Sequence, residues 1–203
     1  MKISVCMATY NGGEFIKEQL LSILRQLTDL DEIIISDDHS TDNTIKIIQE
    51  LKDDRIKIFY NKGEKGFTSN FENAIRLATG DVVFLSDQDD IWLPGKVNTA
   101  ISYLQDYDLV VGNAKVTDEY LNVTNESFFT IFNSGTGIFK NLLFNTYYGY
   151  SIAFRKTVLE YALPFPKNRE VAFDIWIGLV TEIIGKVKFI QEPLVLYLSL
   201  IHI

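Results

Sequence analysis

The chain has 203 residues, 47% of them hydrophobic and 23% charged, which is enough for one α/β domain with a full core. Its net charge of -8, with no basic cluster, argues against a nucleic-acid partner. No apolar run reaches the roughly 18 residues of a membrane span, the apolar part of the N-terminus is too short for a signal peptide, and Cys6 has no second cysteine to pair with, so the expectation is a cytoplasmic protein.

"ISVCMATY" is an apolar run of strand formers, and "GGEFIKEQLLSILRQL" then places Phe15, Ile16, Leu20, Ile23, Leu24 and Leu27 on one helical face. The pattern repeats with "EIIIS" as a strand and "TDNTIKIIQEL" as a helix, for which Thr41 or Ser40 is the expected N-cap. "IKIFYN" gives a third strand. Phe71, Ala74, Ile75 and Ala78 predict a helix closed by Gly80, and "VVFL" predicts a strand buried on both faces. "LVVGNAKVTDEY" is a strand, "YYGYSIAFRKTVLEYAL" a strand running into a helix, "AFDIWIGLVTEII" a helix, and "KVKFI" and "LVLYL" two final strands. Alternating strands and helices imply a mostly parallel sheet covered on both sides, in one domain over 1–203 whose first half, 1–112, carries the regular pattern. Ligands of such sheets bind beyond the carboxyl ends of the strands.

Three of those ends are polar: Thr9-Tyr10-Asn11, Asp37-Asp38 and Asp87 to Asp90. Asp87-Gln88-Asp89 offers two hard oxygen ligands suited to Mg²⁺ or Mn²⁺ shared with a phosphate, or else a solvated acidic loop. Its place after a buried strand favours the metal. Asp37-Asp38 reads either as a turn before a capped helix or as a carboxylate that accepts the N–H of a pyrimidine, and Thr9 and Tyr10 as loop residues or as groups that hold and stack on that base. Convergence of all three clusters on one sheet edge favours a nucleotide.

In order, "SVCMATYNGGEFIKEQLLSILRQ", "IIISDDHSTDNT", "GFTSNFENAIRLATGDVVFLSDQDDIW" and "YYGYSIAFRKTVLEYALPFP" resemble successive motifs of the family 2 glycosyltransferases, particularly the rhamnosyltransferase-like members. The resemblance runs from about Ile3 to Tyr197. It implies a GT-A fold with a central mostly parallel, mixed sheet, a UDP- or dTDP-linked sugar donor, a divalent metal, inversion at the anomeric carbon, and a polysaccharide or lipid-linked glycan acceptor taken up by 113–203 at the inner face of the membrane. By the same resemblance Thr9, Tyr10 and Asp38 bind the base with Asp37 and Asn11 beside them, Asn70 faces the donor, Asp87 lies near the ribose and metal waters, Asp89 ligates the metal, and Asp174 is the base.

Similar proteins continue the last strand into a Y-R-x-H segment that holds the diphosphate, whereas here Leu198 follows Tyr197 and His202 is out of step. The expectation is a piece of a longer chain or the loss of a diphosphate contact, with an apolar end that is a candidate surface for self-association. A competing reading is therefore a non-catalytic nucleotide-sugar-binding domain. A nucleotidyltransferase is disfavoured because no Lys or Arg stands between Lys2 and Lys17 to hold a triphosphate.

Overall fold

The structure, a computed structural model, describes residues 1–166 and 171–199. Strands β1 (Ile3–Thr9), β2 (Glu32–Asp37), β3 (Ile56–Tyr60) and β4 (Val82–Ser86) form a parallel half-sheet in the order β3-β2-β1-β4. Helices α1 (Ile16–Leu24), α2 (Thr44–Glu50) and α3 (Phe67–Leu77) make the crossovers. The period-two alternation of a strand decides what each face buries. Val5 and Met7 of β1 and Val82 and Phe84 of β4 pack on the α1 side with Ile16, Leu20 and Ile23. Cys6, Val83 and Leu85 pack on the other side with Phe71, Ala74 and Ile75 of α3. Burial pushes the Cys6 thiol well above its ordinary range, consistent with a packing role.

Beyond β4 the sheet becomes mixed and continues through β8 (Ile152–Arg155), β6 (Leu109–Thr117), β9 (Val187–Leu198) and β5 (Ile91–Trp92), with β7 (Val123–Asn125) paired to β6. Strand β8 is antiparallel to both β4 and β6, whereas β9 is parallel to β6. Helices α4 (Lys96–Tyr103), α5 (Phe128–Phe132), α6 (Ile138–Leu143), α7 (Leu159–Ala162) and α8 (Phe173–Ile184) complete the fold. Among the described residues no helix is long and apolar enough to cross a membrane.

Three local expectations are corrected. Helix α2 starts at Thr44 after Asn43, and Asp42 rather than Thr41 or Ser40 accepts the first-turn N–H, from Thr44, at 3.0 Å. Gly80 is not the cap of α3, which ends against Ala78; a Cβ at Gly80 would lie 2.6 Å from the backbone N of Ser4, so the glycine allows close passage of two backbones. The two final strands are one, β9, because the register against β6 shifts around Asn113, opposite Pro193, and this irregularity accommodates a residue with no N–H.

The end of the half-sheet away from the carboxyl ends is tied by Glu32. Its buried carboxylate accepts hydrogen bonds from Ser4 Oγ at 2.6 Å, Lys57 Nζ at 2.7 Å and Thr79 N at 2.9 Å. Burial opposes ionisation, but the bonds from Lys57, Ser4 and Thr79 prevail and hold the carboxyl far below its usual range. A depressed folded pKa gives stability that is present above the unfolded value and lost as pH falls. Glu32→Gln is expected to cost about 2 kcal/mol in urea unfolding at neutral pH, with a smaller loss under acid conditions.

Candidate functional site

The carboxyl ends of β1, β2 and β4 open onto a cavity of ≈ 570 Å³. In the parallel register Thr9 lies beside Asp37, and Met7 lies beside Ser86, so the chain segments leaving the three strands meet at one level. Thr9, Tyr10, Asp38, Asn70, Asp87 and Asp89 all line the cavity, which brings together most of the residues singled out in the sequence. Asp37 and Asn11 are not among the lining residues. Asp37 is buried and accepts hydrogen bonds from Thr9 Oγ1 at 3.0 Å and Ser40 N at 2.8 Å, and Asn11 accepts from Thr41 N at 2.8 Å through its Oδ1. Both fix the loops whose neighbours face the cavity.

Asp38 accepts from Asn61 Nδ2 and from Gly66 N, each at 2.9 Å, and so anchors the segment that leads into α3. Gly66 has φ 133°, a conformation that favours glycine. Asn70, one turn into that helix, donates to Thr9 O at 3.1 Å, while its buried Oδ1 has no partner among the described residues. An orphaned buried acceptor facing a polar cavity marks a place for a ligand donor. Tyr10 leaves 52% of its surface exposed at the rim, and Gln88 grips its backbone by accepting from Tyr10 N at 3.0 Å and donating to Tyr10 O at 3.1 Å. His39, with φ 62°, stacks on Tyr60 as a turn residue.

The acidic loop after β4 is strained electrostatically. Burial, then the charges of Asp89 and Asp174, push Asp87 up to about 7, against a weaker pull from Lys96. Burial also raises Asp89. Asp90 is pushed well above its ordinary range by burial and by Asp87 and Asp89; its Oδ1 accepts from Leu198 N at 3.2 Å and its Oδ2 has no partner among the described residues. A cation resolves this conflict. Among the described residues no three His, Cys, Asp or Glu side chains form a group that could hold a metal ion, and Asp87 and Asp89 offer two hard oxygen donors at the cavity.

Residues of the second half of the fold pack against this lining. Phe173, at the start of α8, stacks on the cavity residue Phe71 with centroids 4.4 Å apart. Next to it, Asp174 accepts from Ile175 N at 2.8 Å and from Gly149 N at 2.9 Å. Burial raises the Asp174 carboxyl to about 6, with these N–H bonds limiting the rise. Its charge acts on Asp87 across the two halves of the sheet. Trp92 is buried and Trp176 donates to Ala162 O at 2.8 Å, as core and wall residues do.

The sequence reading did not single out Lys65, Gln88 or Lys96. Lys65 lines the cavity and brings a cation to it. Gln88 stands in plain view between the two aspartates. Leu198, in place of the expected arginine, is buried, and its backbone rather than its side chain serves Asp90. His202 lies outside the described residues.

This sheet and its cavity are those of a GT-A nucleotide-diphospho-sugar transferase fold. Residues 4–162 match Glycosyl transferase family 2, and the chain belongs to that family. The Staphylococcus aureus protein TarS, residues 1–349 in complex with UDP-GlcNAc, superposes with a TM-score of 0.78 at 19% identity, over 100% of this chain and 60% of that one. A Pyrobaculum calidifontis mannosyltransferase in complex with GDP-Man and Mn²⁺ gives 0.71 at 20% identity, over 97% of this chain and 56% of that one. In sequence, a Campylobacter jejuni GalNAc(5)-diNAcBac-PP-undecaprenol beta-1,3-glucosyltransferase is 37% identical over 58% of this chain and 40% of its own length. The chain spans about half the length of the curated relatives it matches.

Proposed function

We propose that this glycosyltransferase moves a hexose from a UDP- or dTDP-linked donor to a polysaccharide or lipid-linked glycan, with inversion at the anomeric carbon. The observation that carries the reading is the convergence of Thr9, Tyr10, Asp38, Asn70, Asp87 and Asp89 on one cavity, with Asp174 close enough for its charge to act on Asp87. Tyr10 stacks on the base, Thr9 and Asp38 hold its polar edge, and Asn70 Oδ1 accepts from the donor. A divalent metal fits Asp87 and Asp89, as the Mn²⁺ in the mannosyltransferase complex suggests, and when bound would supply charge neutralisation to the departing diphosphate. Lys65 adds a second positive charge on that side. The acceptor oxygen forms its bond to the anomeric carbon as the bond from that carbon to the diphosphate oxygen breaks, and Asp174 receives the acceptor proton. The Campylobacter relative's name supports a lipid-linked acceptor, and rhamnose is one donor sugar to test.

Incubation with UDP-glucose, UDP-GlcNAc and dTDP-rhamnose, with Mn²⁺ and with EDTA, tests this by release of the nucleotide diphosphate. Metal-dependent release from one donor is expected; none from any donor, by a folded chain that binds the nucleotide, points to the second reading. That reading is binding without transfer, and Leu198 in place of a basic residue favours it.

Two further outcomes follow. Lys65→Ala is expected to weaken UDP binding about tenfold with little effect on thermal stability, since one charge contact in a partly exposed cleft is lost. Because Asp174 has to be ionised to take a proton, turnover should rise about tenfold per unit below a pKa of about 6 and level off above it. A rate independent of pH between about 5 and 7 would contradict the role given to Asp174.

A further inference from the structure

Lys96 is 1% exposed and is the first residue of α4, where the helix dipole disfavours a cation. Both placements cost free energy that a methionine or leucine would avoid. Its Nζ donates to Tyr150 O at 2.9 Å and sits 4.3 Å from the centroid of Trp92. Trp92 lies two residues beyond Asp90 of the acidic loop; burial lowers the pKa of the lysine to about 7, and the charges of Asp90 and Asp87 oppose that fall. Tyr150 belongs to the single turn Gly149–Ser151, and the first N–H of that turn is the Gly149 donor to Asp174. The Gly149 approach is tight: a Cβ there would lie 3.2 Å from Phe173 Cζ.

We propose that Lys96 is a positioning residue that clasps the turn holding Asp174 to the acidic loop, so that the two sides of the cavity keep their separation. The inference rests on the reading of Asp174 as the base. It assigns Lys96 no contact with substrate. Its amine reaches the Gly149–Ser151 turn, 54 residues on from Lys96 at Tyr150, through one hydrogen bond, and the segment just after the acidic loop through the Trp92 ring.

The test compares wild type, Lys96→Met, the double variant Asp90→Asn with Lys96→Met, and Asp174→Asn. Thermal stability, donor turnover and amide exchange at Gly149 are followed. Lys96→Met is expected to lower kcat about 10- to 100-fold while donor KM stays within about twofold. The double variant, relieved of both buried charges, is expected to regain thermal stability and not kcat. Gly149 should exchange faster than in wild type in both variants, whereas β1 amides should not change relative to global stability. Recovery of kcat in the double variant would overturn the clasp and leave only charge balance. Gly149 exchange unchanged in Lys96→Met would overturn it whether or not the chain turns over. Full turnover by Asp174→Asn with a slow Lys96→Met would instead refute the reading of Asp174.

Discussion

Asp174→Asn is expected to lower turnover about 10²- to 10⁴-fold while nucleotide diphosphate binding stays within about twofold of wild type. Asparagine keeps the shape of the side chain, and its Oδ1 can still accept from one of the two N–H groups that now bond the carboxylate, Gly149 N and Ile175 N. What it cannot do is take the acceptor proton. The substitution also removes a negative charge that pushes Asp87 upward. Weak turnover with weak binding would instead mean that the cavity had collapsed. Normal turnover would remove Asp174 from the chemistry.

Asp87→Ala combined with Asp89→Ala should abolish the metal-dependent part of nucleotide binding, a loss of at least about 100-fold or on the order of 3 kcal/mol. The same pair makes the metal-free protein sensitive to pH in an uncommon direction. A carboxyl whose folded pKa is raised contributes stability that is full below its unfolded value and is lost as pH rises through the folded one. Asp87, raised to about 7, and Asp174, raised to about 6, therefore destabilise the metal-free fold as pH climbs from the ordinary value of 3.8 towards 7. Thermal melts should show this fall, and Mn²⁺ with UDP should reverse it. In the double alanine variant the fall should be smaller and the reversal absent.

The parallel half of the fold was legible because β1, β2 and β4 are buried on both faces and read as largely apolar runs, while its helices show one apolar stripe. The D-x-D pair was legible because carboxylates directly after "VVFL" have no packing explanation. Helix α4 was missed although Val97, Ala100 and Leu104 recur at helical spacing and are buried. With it went Lys96, whose meaning depends on Tyr150, and no spacing rule connects positions 54 apart. The break read between "KVKFI" and "LVLYL" failed for a tertiary reason, since the neighbouring strand β6 shifts register around Asn113, opposite Pro193. Asp37 and Asn11, expected beside the base, are not among the cavity-lining residues, because which side chain of a polar cluster faces a cavity and which holds a loop depends on hydrogen bonds made across about 30 residues of sequence. The family resemblance supplied Asp174; the helical pattern of "AFDIWIGLVTEII" alone reads as an acidic first turn.

The most direct measurement is calorimetric titration of the chain with UDP and dTDP, each with Mn²⁺ and with EDTA. The proposed site predicts that one of the two binds with Mn²⁺, at least about 100-fold more tightly than with EDTA, and that binding strengthens with pH as Asp87 ionises. Equal affinity with and without metal, or no binding of either nucleotide by a folded chain, would contradict it.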